Sequence, residues 1–251
     1  MTYTTPDLTY EILERDIMSV ESHVLIAGST GSGKSNLLRR CLCYAAHKGF
    51  HLILIDPKGT ELGPWKDGVN CAGYAEYPAD MIDLLAQTVE TMESRIHSLP
   101  EYQRTYKGTP LWVVIDEYAD LMDTAPQAAK LVKRLAQKGR AAGIHVLLCT
   151  QHPSAKVIDG TIKANFPARI ALHTASALYS RMIIERNGAE SLPYKGYAYF
   201  MHESGDIDLY QTSLLPDEEE IRVCEYMKAQ GRATVAAAPE PKKSFWKRLF
   251  G

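Results

Sequence analysis

The run Gly28-Ser29-Thr30-Gly31-Ser32-Gly33-Lys34-Ser35 matches G-x-x-x-x-G-K-[ST], a pattern able to hold a polyphosphate. Its glycines let backbone N–H groups turn inward around phosphate oxygens, and the helix expected from Lys34 adds the positive end of its dipole. Lys34 has the charge and reach for the β and γ phosphates. Ser35, the first hydroxyl after it, suits Mg2+. Further along, Leu111-Trp112-Val113-Val114-Ile115 ends in two acids. Asp116 suits the Mg2+ shell, normally through water, and Glu117 beside it is placed to polarise an attacking water as a general base. A third apolar run, Ile144 to Cys149, ends in Thr150-Gln151, and the Gln151 side chain suits sensing a γ-phosphate or orienting water. Acids and amides at strand ends also act as plain caps, and a phosphate loop alone would serve a kinase, a GTPase or a transporter. Together these residues specify Mg2+-dependent hydrolysis of ATP.

Those side chains need an α/β scaffold. His23 to Gly28 is apolar and β-branched, and Leu37, Leu38, Cys41 and Leu42 recur at helical spacing from Lys34 to His47, with Gly49 as terminator. His51 to Asp56 reads as the next buried strand, completing a βαβ unit. Leu85, Val89, Met92, Ile96 and Leu99 predict a long amphipathic helix that stops before Pro100. A polar connector (101–110) leads to the strand ending in Asp116. Ala128 to Ala142 reads as one helix closed by Gly143. After the Ile144 strand come a strand at Arg169 to His173, a helix around Leu178 to Arg186, and segments at 197–201 and 206–211 joined at Ser204-Gly205 as a hairpin. Pro216 and the acids Asp217 to Glu220 suit the start of a last helix running to about Gln230. The spacing therefore predicts a mainly parallel sheet flanked by helices with an antiparallel hairpin at its C-terminal end.

The 251 residues, 45% apolar and 23% charged, fit one good-sized α/β domain. Five cysteines form no C-x-x-C pair and read as reduced thiols, and the eight histidines show no metal spacing. No apolar run approaches the roughly 18 residues of a membrane span, and the N-terminus lacks a secretory signal, so a cytoplasmic protein is expected. A net charge of −2 leaves only local basic contacts for any nucleic acid. Residues 1–230 read as the folded domain and 231–241, rich in Ala and Pro, as a flexible linker. The tail from Lys242 to Gly251 has four cations, three aromatics and no acid. It suits contact with a membrane surface, an acidic partner or DNA, or simple disorder.

Several blocks beyond the phosphate loop carry a family resemblance. They are His23 to Leu38; Ile55-Asp56-Pro57-Lys58 with Glu61-Leu62; Val114-Ile115-Asp116-Glu117 with Ala119 to Met122; Arg134 to Gln137 with Gly139 to His145; Thr150-Gln151 through Gly160; and Ile162 to Asn165 with Pro167 and Arg169. Ser180-Arg181 and Gly188-Ala189-Glu190 complete them. From about Glu21 to Gln230 the sequence resembles the motor domain of the FtsK/SpoIIIE family of DNA translocases. The resemblance implies a RecA-like domain that assembles as a homo-oligomeric ring, commonly a hexamer, around double-stranded DNA and moves along it by hydrolysing ATP. It also implies an arginine finger supplied by a neighbouring subunit, for which Arg169 is the first choice, Arg140 the second, and Arg181 the third candidate. Surface salt bridges are the alternative for each. Arg104 and Lys107 on the connector, and Lys156 and Lys163 after Gln151, are the DNA-contact candidates because those loops face the channel in the family.

Translocases of the family usually carry a further small domain ahead of the phosphate loop, a winged-helix module after the motor and often an N-terminal membrane anchor; none of the three is expected from this sequence, and His152 and Gly196-Tyr197 replace more familiar residues. A reduced motor serving a mobile element, phage or plasmid transfer is the expectation. The competing readings are an ATPase moving a protein in secretion and a nucleotide-gated adaptor for a replication or conjugation complex.

Overall fold

The computed structural model describes residues 23–237 except Val69 and Tyr194, with side chains described up to position 229. The stretch before His23, the end of the expected linker and the basic aromatic tail at 242–251 lie outside those residues.

Six strands run parallel: β1 (Val24–Ala27), β2 (His51–Ile55), β3 (Cys71–Ala75), β4 (Leu111–Ile115), β5 (Ile144–Thr150) and β6 (Ala168–Leu172). The hairpin β7 (Tyr197–Met201) and β8 (Ile207–Gln211) joins β6 antiparallel, giving the order β3-β2-β4-β5-β1-β6-β7-β8. Strands β1, β4 and β5 are buried at every position, as expected where helices cover both sheet faces. The hairpin instead alternates, with Ala198 and Phe200 buried and Tyr197 and Tyr199 half-buried.

One face of the sheet packs α1 (Lys34–Lys48) and α7 (Asp217–Ala237) onto Val24, Ile26, Leu52, Leu54 and Val114. The other packs α2 (Pro78–His97), α3 (Tyr118–Thr124), α4 (Pro126–Lys138), α5 (Gly160–Asn165) and α6 (Ala177–Ile184) onto Leu25, Ile53, Val113 and Val146. The result is three layers with two cores, the arrangement that lets a parallel sheet exclude water from both sides.

Three elements differ from the sequence expectation. Strand β3 has no β-branched residue, and its pairing with β2 makes it a strand at the sheet edge. The helix expected over 128–142 ends at Lys138 and tightens into a 3-10 turn at Gly139–Ala142. Gly139 sits so close to β5 that a Cβ there would lie 2.5 Å from the Ile144 carbonyl oxygen. Helix α7 runs to Ala237, so the first residues of the expected linker are helical. Ala233, Ala236 and Ala237 are strong helix formers, and Pro239 follows them in the sequence.

Because β1, β2, β4, β5 and β6 are parallel, their C-terminal tips share one end of the sheet. That end carries the glycine-rich loop, Asp56, Asp116 and Thr150. The opposite end carries His23, the 101–110 connector, Gly143 and Pro167.

At that opposite end His23 is fully buried, and its Nδ1 accepts a hydrogen bond from the Val146 N–H at 2.9 Å. Burial, reinforced by His145 and Arg140, pushes its pKa down to about 3. Below pH 6.5 the unfolded chain takes up a proton that the folded His23 refuses, so the folded state loses stability as pH falls, levelling below about 3. The slope from this one group is about 1.4 kcal/mol per pH unit. Urea midpoints at neutral and mildly acidic pH should fall less for His23→Gln, which keeps an acceptor for Val146, than for the unsubstituted chain. An identical slope in both would exclude His23 as the source.

Candidate active site

The loop between β1 and α1 is shaped as a phosphate cradle. Gly31 and Gly33 adopt φ of 78° and 103°, which turns successive N–H groups to one side. Gly28 is packed so that a Cβ would stand 2.6 Å from Ser32 Oγ and 2.8 Å from Leu172 Cβ. Ser32 Oγ is itself buried without a hydrogen-bond partner in the protein, which fits a loop built to be completed by an anion. The loop is tied on both flanks. Gly28 N donates to Thr150 O at 3.3 Å and Ser29 N to His173 O at 2.8 Å. Gly196 N donates to Ser32 O at 3.0 Å while Thr212 N donates to Gly196 O at 2.6 Å. Gly196 has φ of 80°, and a Cβ there would approach Thr212 O to 2.7 Å, so glycine is required for the hairpin to reach the loop.

Lys34, nearly buried, donates from Nζ to Asp116 Oδ1 at 2.8 Å and to the Asp116 carbonyl at 3.1 Å. Burial alone would lower its pKa. The neighbouring negative charge opposes that and favours the ammonium form. The charge is that of Asp116, with Glu117 behind it, because burial pushes the Cys149 thiol well up and keeps it neutral. Two of the three ammonium hydrogens are thus engaged, and the third is available to a phosphate oxygen.

Glu117, at the β4–α3 junction, is fully buried and held by three contacts. Thr150 Oγ1 donates to Oε1 at 2.7 Å, and Gln151 N reaches Oε1 at 3.1 Å and Oε2 at 2.9 Å. Thr30 Oγ1 of the cradle donates to Gln151 Oε1 at 2.7 Å. A hydrogen-bonded path therefore runs from the phosphate loop to the Gln151 side chain and, through the Gln151 backbone N–H, to the carboxylate, which is fixed in place before any substrate arrives. Ser35 Oγ donates to Glu61 Oε1 at 3.0 Å.

The residue set fits a nucleoside triphosphate and Mg2+. Lys34 and the cradle would hold the phosphates, and Ser35 and Asp116 would hold the ion. Among the described residues no three His, Cys, Asp or Glu side chains converge on a metal site of their own. That suits Mg2+, which takes few protein ligands and relies on substrate phosphates and water.

The arginines lie elsewhere. Arg169 is buried at the start of β6 and bonded within its own chain. Nε donates to Phe166 O at 2.8 Å, Nη1 to Ile183 O at 3.2 Å and Glu185 Oε1 at 2.8 Å, and Nη2 to Lys163 O at 2.8 Å. Its guanidinium ties α5, β6 and α6 together. Arg140 is exposed, 4.0 Å from Glu203, and Arg181 is exposed with Nη1 donating to Asn187 Oδ1 at 2.6 Å.

The DNA-contact candidates divide between the two ends of the sheet. Arg104 and Lys107 on the connector and Lys163 on α5 lie at the end away from the cradle, and the first two are exposed. Lys107 and Arg140 line one cavity of about 410 Å³ whose lining includes no carboxylate. Lys156 lies on the cradle side and pairs with Asp123 at 2.9 Å.

The Thr150 hydroxyl and Glu61 take no assigned role in the sequence reading. Thr150 directly precedes Gln151 at the strand tip, and Glu61 falls within a family block, so position alone singled out both.

Known proteins similar to this chain fall in one family. A family model described as the FtsK/SpoIIIE family matches residues 4–106 and 96–155. The DNA translocase FtsK of Corynebacterium glutamicum is 38% identical over 240 aligned positions, covering 83% of this chain and 26% of that protein. The DNA translocase SftA of Bacillus subtilis is 39% identical over 230, covering 83% and 24%. This chain spans about a quarter to a third of the length of the curated relatives it matches. Among solved structures, the pCW3 conjugation coupling protein TcpA with ATPgS superposes with a TM-score of 0.69 at 30% identity, over 82% of this chain and 65% of that one. The type VII secretion ATPase EccC of Thermomonospora curvata shares the fold, with a TM-score of 0.71 at 21% identity, over 83% of this chain and 28% of that one. With the cradle, the paired acids and the bridging glutamine in one place and the family model matching more than half its length, this chain belongs to the FtsK/SpoIIIE family of ATP-hydrolysing translocases.

Proposed function

We propose that the chain is the motor domain of an ATP-driven translocase that moves double-stranded DNA as a ring, in the service of a mobile element or plasmid transfer. The observation that carries this reading is the Thr30–Gln151–Glu117 chain, which couples the phosphate loop to a fixed general base. It is supported by relatives whose names specify DNA translocation and by the likeness to a conjugation coupling protein.

In the proposed cycle Lys34 and the inward-turned N–H groups bind the triphosphate, and Ser35 and Asp116 would hold Mg2+, which would supply positive charge to the phosphates. Glu117 then accepts the proton of an attacking water that Gln151 helps orient. Water exclusion by the buried strand tips strengthens each of these contacts. Charge on the transferring phosphoryl group also calls for a cation from a neighbouring subunit. Because Arg169 is occupied inside its own fold, we assign that role to Arg140 or Arg181. Residues 1–230 form the motor on this reading. The tail at 242–251 recruits it to a partner, and the protein acts in the cytoplasm. Among the described residues no helix is long and apolar enough to cross a membrane.

The test is ATP turnover with and without duplex DNA, paired with triplex displacement along the duplex. Stimulated turnover and displacement are expected. Combined substitution of Arg104, Lys107, Lys156 and Lys163 should weaken duplex binding and flatten its salt dependence, with the smallest share from Lys156 because Asp123 already neutralises it. Turnover indifferent to duplex, with no displacement, would remove DNA as the substrate.

A further inference from the structure

The acid on Ser35 belongs to a loop with a definite construction. Asp56 stands at the tip of β2, beside Asp116, because β2 and β4 pair in register to Ile55 and Ile115 and Asp116 N donates to Ile55 O at 3.2 Å. The Asp56 side chain is fully buried. Its Oδ2 accepts the backbone N–H of Glu61 at 3.1 Å and of Leu62 at 2.9 Å. Gly59, at φ of 66°, closes the turn with its N–H on Asp56 O at 2.9 Å. Leu62 and Trp65 bury themselves in the α1 core, and Trp65 Nε1 donates to Glu220 at 2.9 Å. Glu61 is therefore presented to Ser35 by an anchored turn.

A serine hydroxyl has one hydrogen and two lone pairs. With its hydrogen committed to Glu61, Ser35 Oγ keeps its lone pairs for a cation. An acceptor on the hydrogen of a metal-ligating group fixes that group's orientation and raises its basicity. The neighbouring Asp56 Oδ1 is buried and has no partner in the protein, so the same corner holds a second acceptor with capacity for a donor such as metal-bound water.

We propose that Glu61 is a positioning residue for the metal side of the site, orienting the Ser35 hydroxyl and setting the Mg2+ affinity of the nucleotide-bound protein, with Asp56 holding its turn. The proposal rests on the ATP-site reading. It differs from a capping role for Glu61, because a cap would affect folding and leave the metal requirement unchanged.

The experiment titrates MgCl2 into the full chain with a non-hydrolysable ATP analogue and follows nucleotide-induced thermal stabilisation. Glu61→Ala should raise the Mg2+ midpoint by about tenfold or more, with unchanged or tighter analogue binding in EDTA because a negative charge near the polyphosphate is gone. Glu61→Gln keeps an acceptor for Ser35 and should shift the midpoint by less, and it serves as the folded control if alanine disturbs the turn. Ser35→Ala should shift the midpoint in the same direction. A Ser35→Ala shift with both Glu61 variants at the unsubstituted midpoint would overturn the role of Glu61 while leaving the nucleotide site standing. No shift in any variant would overturn both.

Discussion

Lys34→Ala should lower ATP turnover by at least about a hundredfold, the scale of losing one preorganised donor to transferring charge, and should also destabilise the protein before any nucleotide is present. The second effect comes from burial. Lys34 and Asp116 are 4% and 2% exposed and 2.8 Å apart, so removing the ammonium leaves a carboxylate buried without its counter-charge. Breaking such a pair costs about 3–5 kcal/mol, which for a domain of this size lowers Tm by roughly 6–20 °C. Adding Asp116→Asn removes the stranded charge and should recover most of the lost Tm while turnover stays lost. Calorimetry on the two variants, beside a turnover assay, separates the structural from the catalytic share. A single variant that melts like the unsubstituted chain would mean that Asp116 relaxes into water, and surviving turnover would move the phosphate site elsewhere.

Glu117→Gln separates binding from chemistry. Turnover should fall by about a hundred- to ten-thousandfold, the usual contribution of a positioned general base, while ATP binding measured by titration calorimetry stays close to that of the unsubstituted protein. The structure gives a reason for the asymmetry. Glu117 bonds Thr150 Oγ1 and Gln151 N, and it is linked to the cradle through Gln151. The amide retains one oxygen for those donors and sets its NH2 against the other, a local mismatch and not the loss of a phosphate ligand. If affinity and turnover fell by the same factor, Glu117 would be a binding or structural residue and the base would have to be sought elsewhere.

Much of this was readable in the sequence because the chemistry sits at strand tips. Runs such as Leu111–Ile115 and Ile144–Thr150 are apolar throughout, and the first polar residue after each marks where the chain leaves the core. Parallel order then brings Lys34, Asp116, Glu117 and Gln151 to one end of the sheet. Strand β3 was not readable, because Cys71-Ala72-Gly73-Tyr74-Ala75 has neither alternation nor β-branching and becomes a strand through its pairing with β2. The fate of Arg169 was also hidden. Its partners are the carbonyls of Lys163, Phe166 and Ile183 and the Glu185 carboxylate, and no local pattern reports that four acceptors on and just after two helices converge on one guanidinium. Lys156 likewise meets Asp123 only because the fold returns the chain past α3. Charge type is legible in sequence. Whether a charge is already neutralised depends on tertiary contact.

Strand β5 touches both ends of the molecule. At Thr150 it bonds the Glu117 carboxylate, and just before Ile144 the Arg140–Gly143 turn meets the connector, where Tyr106 N donates to Ala141 O at 2.8 Å and Arg95 stacks 4.3 Å over the Tyr106 ring. Seven extended residues, about 23 Å of chain, separate those points. Both neighbouring strands are hydrogen-bonded to it, and its side chains are fully buried, so it can neither buckle nor stretch appreciably. Strand β5 is thus one continuous buried segment held on both sides, with the Glu117 contact at one end and the turn beside Lys107 and Arg140 at the other.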